Sequence, residues 1–131
     1  MQKAAVRDDI GAFLAGYPQP VQEIASATRG LLEEVLPGIE ETLDTSSRLI
    51  GYRYAPGYTG LLCTLIPSRK EVKLGIFRGS ELPDPKHLMT GAGKVHRHVP
   101  LRRLADLRQP GLKPLLTRAL TAWRSRSAGL A

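Results

Sequence analysis

Hydrophobic positions in the first 36 residues repeat with the period of an α-helix. A first stripe consists of Val6, Ile10, Phe13, Leu14 and Tyr17. A longer stripe with i, i+3, i+4, i+7 spacing consists of Val21, Ile24, Ala25, Thr28, Leu31, Leu32 and Val35. The segment GYPQP at 16–20 separates the two stripes, and PG at 37–38 follows the second. The pattern therefore predicts two helices, each with one apolar face that must pack on another element.

After residue 38 the pattern changes to that of β-strands. The segments SRLIGYRYA (47–55), YTGLLCTLI (58–66) and EVKLGIF (71–77) are rich in β-branched, aromatic and alternating apolar residues. Short turns join them, and PG at 56–57 suits the centre of a type II turn. Strands joined by such short turns pair antiparallel. We therefore expect a meander of three strands.

The C-terminal part adds one strand and one helix. RGSELPDPKH (78–87) reads as loop, KVHRHV (94–99) as a strand ended by Pro100, and LRRLADL (101–107) as one or two helical turns. An amphipathic stripe then comprises Leu112, Leu115, Leu116, Ala119, Leu120 and Trp123. The whole order predicts an α+β two-layer sandwich, in which N-terminal helices and a C-terminal helix pack on an antiparallel sheet. We expect residues 1–131 to form a single domain.

Composition limits the class of protein. Apolar residues make up 42% of the chain, and no apolar run approaches the roughly 20 residues of a spanning helix. We therefore expect no membrane partner. Asp8 and Asp9 interrupt the N-terminal region where a signal peptide would be apolar, and the single cysteine, Cys63, excludes an internal disulfide. These features favour a cytoplasmic protein with Cys63 buried as a small hydrophobic residue.

The net charge of +7 is unevenly distributed. Residues 1–85 contain 9 Lys and Arg and 11 Asp and Glu, whereas residues 86–131 contain 10 Lys and Arg and a single acid, Asp106. The five acids of segment 31–46, which has no basic residue, are Glu33, Glu34, Glu40, Glu41 and Asp44. Such asymmetry can attract an anionic ligand, an acidic partner or a second copy, or it can simply solvate the surface.

The segment LMTGAGKVHRHVPLRR (88–103) combines glycines with basic residues and invites comparison with a P-loop. Aligning Gly93 and Lys94 with G-x-x-x-x-G-K-[ST] puts Leu88 at the first glycine and Val95 at the Ser or Thr that binds magnesium. A strand is also predicted where the P-loop requires a helix N-terminus. We therefore exclude a P-loop.

The residue types of this segment are also compatible with two other kinds of chemistry. His96 and His98, with His87 in the preceding loop, could form a metal site of a metal-dependent enzyme, but the surrounding arginines and lysine disfavour a cation. The basic charge could contact nucleic acid, but Trp123 is the only aromatic residue of the basic region and its spacing assigns it to the core. We therefore expect no nucleic-acid partner. No ordered Ser-His-Asp set can be read from the sequence, so we name no catalytic residues.

A small anionic site suits the residue types better. The candidate ligand-binding residues are Arg78, Gly91, Gly93, Lys94, Arg97 and His98. The glycines would let backbone amides approach a ligand, and the cations would neutralise it. The alternative, a turn that needs glycine for its backbone alone, stays open.

The run KLGIFRGSELPDPKHLMTGAGKVHRHVPL (73–101) resembles the YdhG-like family of small bacterial domains. The matching residues are Phe77, Arg78, Gly79, Leu82, Asp84, Pro85, Leu88, Gly91, Gly93, Lys94, Arg97 and His98. LPGIEETL (36–43) resembles an acidic segment of the family, and GYRYA (51–55) resembles its tyrosine-bearing strand entry.

This resemblance implies an α/β sandwich loosely similar to frataxin, with no cofactor. One branch of the family is described as an intracellular iron chaperone, which would make iron a possible cargo and Glu33, Glu34, Glu40, Glu41 and Asp44 its ligands. Our first expectation is nevertheless a binding or chaperone-type domain that takes an anionic ligand or acidic partner through the basic glycine-rich segment. Iron binding is the second expectation, and a metal-dependent enzyme is the third.

Overall fold

The computed structural model describes residues 2–91 and 93–130, which form three α-helices and one five-stranded sheet. The helices are α1 (Gln2–Leu14), α2 (Gln19–Val35) and α3 (Leu112–Leu130). The strands are β1 (Glu40–Asp44), β2 (Leu49–Arg53), β3 (Leu61–Pro67), β4 (Val72–Ile76) and β5 (Arg97–Leu101). Short 3₁₀ helices span Tyr58–Gly60, Gly79–Glu81 and Leu104–Arg108. The predicted α+β class, with N- and C-terminal helices packed on an antiparallel sheet, is confirmed.

The helices form where the apolar period predicts them. In α2, Pro20 lies in the first turn, where its missing N–H costs no hydrogen bond, and the predicted stripe faces inward through Val21, Ile24 and Leu32. Thr28 is also buried in this stripe, and its hydroxyl donates to the carbonyl oxygen of Ile24 at 2.7 Å. The buried polar atom is thereby satisfied within the helix.

The sheet is a continuous antiparallel meander in the order β1-β2-β3-β4-β5. The strand β1, with the sequence EETLD, was not predicted because its acidic residues have low strand propensity. It is an edge strand, half exposed, so polar side chains are tolerated there. The prediction that Pro100 ends the last strand was wrong, because β5 continues to Leu101; Pro100 fits there since β5 is the other edge of the sheet.

One face of the sheet makes the core with the helices. Ile50, Leu65, Leu74 and Val99 lie opposite one another in a row across β2 to β5, and all four are buried. Cys63 lies in the next row and is buried, which raises the pKa of its thiol. This agrees with its expected role as a small hydrophobic residue.

The other face, called the outer face below, carries the row Thr42, Gly51, Thr64, Gly75 and His98. Within residues 2–91 and 93–130, no helix is both long and apolar enough to cross a membrane.

Candidate ligand site at the basic end of the sheet

The antiparallel order brings several segments together at one end of the sheet. There β3 begins, β4 ends and β5 begins, so the loops 54–60 and 77–96 are neighbours. The second half of α3 reaches the same place, because Trp123 donates from Nε1 to the carbonyl oxygen of Thr59 at 2.8 Å. We call this region the basic end and define it by four cations, Arg78, Lys94, Arg97 and Arg126.

Arg78 occupies a tight turn at the end of β4. Its φ of +57° is left-handed, and its backbone N–H donates to Nδ1 of His96 at 3.0 Å. The side chain forms an ion pair with Glu81, with Nη2 at 3.1 Å from Oε1. The hydrogen bond from Arg78 lowers the pKa of Glu81, so the carboxylate stays ionised over the physiological range.

Arg126 reaches the same region from α3. Its Cζ lies 6.0 Å from the centroid of the Phe77 ring. Partial burial and then the nearby charge of Arg78 lower the pKa of Arg126, whereas Glu81 raises it. Arg126 therefore adds a second positive charge beside the Arg78–Glu81 ion pair, which leaves a net positive charge at this point of the surface.

Arg97 and Lys94 complete the set of cations. The side chain of Arg97 passes against Gly79, where an added Cβ would lie 3.0 Å from the Cβ of Arg97, and its Nη1 donates to the carbonyl oxygen of His96 at 3.3 Å. Lys94 is exposed on the adjoining turn, which Ser80 tethers by donating from its N–H to the carbonyl oxygen of Val95 at 3.0 Å. Neither cation has a carboxylate within 4.0 Å in the described part of the chain.

The two glycines of the segment are required by the local backbone. Gly91 has a φ of +124°, which side chains rarely adopt, and an added Cβ at Gly93 would lie 2.8 Å from the carbonyl oxygen of His96. Both observations fit the alternative in which glycine serves the turn. The loop is also held by Asp84, whose carboxylate accepts from the N–H groups of Leu88 and Met89 at 2.9 Å each.

His98 lies near Gly91 but away from the cations of the predicted site. It faces the outer face next to Gly91, where its Nε2 is 3.1 Å from Oγ1 of Thr90, and its backbone pairs with that of Thr90. Burial and then the charge of Lys73 lower its pKa, so the ring is neutral near pH 7. The structure thus brings Arg78, Gly91, Gly93, Lys94 and Arg97 to one end of the sheet and turns His98 onto its outer face.

The sequence-based reasoning missed an aromatic cluster at the basic end. The rings of Phe77 and His96 are tilted by 33° with centroids 4.7 Å apart, and Tyr58 meets Phe77 edge to face at 4.8 Å. The hydroxyl of Tyr58 is 2.7 Å from Nε2 of His96. Local spacing does not reveal this cluster, because its members come from three different segments and meet through the strand pairing.

Three of the predicted metal ligands, Glu33, Glu40 and Glu41, line one cleft, and four of the five already have partners. Four carboxylates bind neighbouring side chains: Glu33 binds Arg7, Glu34 binds Lys113, Glu41 binds Arg29 and Tyr52, and Asp44 binds Ser46 and the N–H of Ser47. Glu40 is exposed and pairs in register with Arg53.

The histidines do not come together as a metal site either. His96 is engaged by Tyr58 and Arg78, and His98 by Thr90. Among the described residues, no group of three or more His, Cys, Asp or Glu side chains is close enough to hold a metal ion. The iron-binding and metal-enzyme hypotheses therefore gain no support from the geometry and stay predictions.

Comparison of the chain with protein-family models, with curated proteins and with solved structures found no match. The resemblance to the YdhG-like family accordingly remains a prediction.

Proposed function

We propose that this domain is a binding module that takes up a small anionic ligand at the basic end of the sheet. The observation that carries the proposal is the position of Arg126 beside the Arg78–Glu81 ion pair, where one carboxylate faces the charges of two guanidinium groups. Two guanidinium groups have more donors than one carboxylate can accept, so an added anion would relieve their repulsion and use their remaining N–H groups.

Neighbouring residues strengthen this preference for an anion. Lys94 on the adjoining turn and Arg97 at the start of β5 have no acidic partner among the described residues, so their charges add to the local positive potential. The Arg78 turn is fixed by the backbone hydrogen bond to His96, which orients the turn before any ligand arrives. A site that is ordered in advance loses less conformational entropy on binding.

Isothermal calorimetry with inorganic pyrophosphate at low ionic strength tests the proposal. We expect binding that weakens with added salt and falls by about tenfold in Arg126→Gln and in Lys94→Gln, since each removes one charge-assisted contact. Arg69→Gln and Lys70→Gln are the matched controls, because both residues are exposed in the β3–β4 turn at the opposite end of the sheet. Absence of binding, or equal loss in the control variants, would contradict the proposal.

A further inference from the structure

The expectation that nucleic acid is not a partner rested on Trp123 being the only aromatic residue of the basic C-terminal region. Trp123 has a structural role, since its ring packs on that of Tyr54 with the centroids 5.2 Å apart, and its Nε1 donates to the carbonyl oxygen of Thr59. The fold, however, brings Tyr58 and Phe77 from earlier segments to the same surface as the cations. The premise of that expectation therefore does not hold for the folded chain.

Tyr58 is both exposed and held in place. It exposes 66% of its surface, more than the other exposed large hydrophobic residues of the described chain, Val95 and Leu104. Its hydroxyl is bonded to His96, and its ring contacts the ring of Phe77. An aromatic ring fixed by two contacts and open to solvent can accept a stacking partner with little further loss of entropy.

The hydrogen bonds also assign the protons of this cluster. The N–H of Arg78 donates to Nδ1 of His96, so Nδ1 is an acceptor without a proton, and Nε2 carries the N–H that is donated to the Tyr58 oxygen. The proton of the Tyr58 hydroxyl is then not used by His96. It can be donated to an acceptor on a ligand that lies against the ring.

Cations lie close to the aromatic cluster that contains this ring. Arg126 lies 6.0 Å from the Phe77 centroid, Phe77 contacts Tyr58, and Arg78 follows Phe77 directly in the chain. Surfaces that bind nucleotide units combine an aromatic ring, on which a base stacks, with cations that bind the phosphate. An acidic peptide would use the cations but leave the ring without a partner.

We infer that the basic end binds a nucleoside phosphate, with the base stacked on Tyr58 and the phosphate bound by Arg78, Arg126 and Lys94. This inference rests on the proposed anion site and names its ligand class. A free nucleotide and a nucleotide unit within a single strand present the same chemistry, so both sources are included in the test.

The test compares adenosine 5′-monophosphate with ribose 5-phosphate, which lacks the base, by calorimetry on the full chain. We expect the base to increase affinity by about tenfold or more. That increase should disappear in Tyr58→Leu and remain in Tyr58→Phe, which keeps the ring. Tyr17→Leu is the control for general effects of losing a tyrosine, because Tyr17 packs against Phe13 of α1 and lies outside the basic end.

Each outcome separates this inference from the proposed function. Equal affinity for adenosine 5′-monophosphate and ribose 5-phosphate would overturn the stacking site, and so would a gain in affinity from the base that is unchanged in Tyr58→Leu. In either case, binding of pyrophosphate would still support the anion site. Failure of pyrophosphate to bind would overturn both. Tighter binding of a short oligoadenylate, with steep salt dependence, would identify a strand as the source, and affinity equal to that of the mononucleotide would identify free nucleotide. An acidic peptide that binds as tightly as the oligonucleotide would contradict the inference.

Discussion

Arg29 donates two hydrogen bonds to the carboxylate of Glu41, from Nε at 2.8 Å and from Nη2 at 3.1 Å. The hydroxyl of Tyr52 donates a third to the same carboxylate at 2.7 Å. The two charged side chains are only 23% and 18% exposed, on the wall of a cleft of about 680 Å³ between α1, α2 and β1. The network therefore ties α2 to the edge strand β1, whose own sequence gives it little apolar surface to bury.

Replacing Glu41 by Gln should destabilise the fold by about 2 kcal/mol, because the guanidinium of Arg29 would stay half-buried without its ionic partner. Urea unfolding measures this change. Glu40→Gln is the matched control, since Glu40 is exposed in the same strand and should change stability by less than about 0.5 kcal/mol. Equal effects of the two substitutions would show that the network contributes little.

The same carboxylate should make stability depend on pH in the acid range. Burial raises the pKa of Glu41, but the hydrogen bonds from Arg29 and Tyr52 outweigh it, so the pKa lies below its ordinary value. Because the pKa is lower in the folded state, the ionised carboxylate stabilises the fold at any pH above its unfolded-state pKa of about 4.3. This stabilisation is lost as the pH falls through the pKa of the folded state. The stability difference between wild type and Glu41→Gln should thus be constant above about pH 5 and shrink below pH 4. A difference that stays constant from pH 7 to pH 3 would contradict this account.

Two tyrosines on β2 and in the following loop should respond oppositely to loss of the hydroxyl. Tyr52→Phe removes the bond to Glu41 and should cost about 1–2 kcal/mol. The hydroxyl of Tyr54 is buried against α3 and finds no hydrogen-bond partner among the described residues, and burial raises its pKa. Tyr54→Phe should therefore be neutral or stabilising by up to about 1 kcal/mol. Paired urea unfolding curves of the two variants check the signs, and a destabilised Tyr54→Phe would reveal a missing partner.

The helices and the core strands could be predicted because their buried positions are apolar and recur with the period of the element. The stripe from Val21 to Leu32 and the alternation of Val72, Leu74 and Ile76 each repeat with the period of the element they form. The strand β1 has no such pattern, since partial exposure lets EETLD remain polar and long-range contacts hold it in place. The predicted type II turn at residues 56–57 was also wrong: Gly57 has the required positive φ, at +82°, but its ψ of −178° is extended.

The positive charge of the candidate site could be predicted from the sequence, but the spatial arrangement of its residues could not. The excess of Lys and Arg after residue 85 is visible in the sequence, and four of the predicted ligand-binding residues in that part do meet at the basic end. Tyr58 and His96 are 38 residues apart and meet only through the pairing of β3, β4 and β5. Arg126 joins them because α3 extends over loop 54–60. Such juxtapositions depend on tertiary packing, which local periodicity does not encode.

The loop that presents Tyr58 depends on a close backbone contact at Gly60. A Cβ added to Gly60 would overlap the backbone carbonyl of Ala55. Neither backbone segment can move without displacing the 2.9 Å hydrogen bond from the N–H of Tyr54 to the carbonyl oxygen of Gly60. Gly60→Ala should therefore destabilise the protein by about 2 kcal/mol or more. Gly30→Ala is the matched control, because Gly30 is exposed within α2 with open space around the added Cβ and should gain about 0.5–1 kcal/mol. Thermal unfolding of the two variants should shift in opposite directions, and a stable Gly60→Ala would mean that the loop can rearrange.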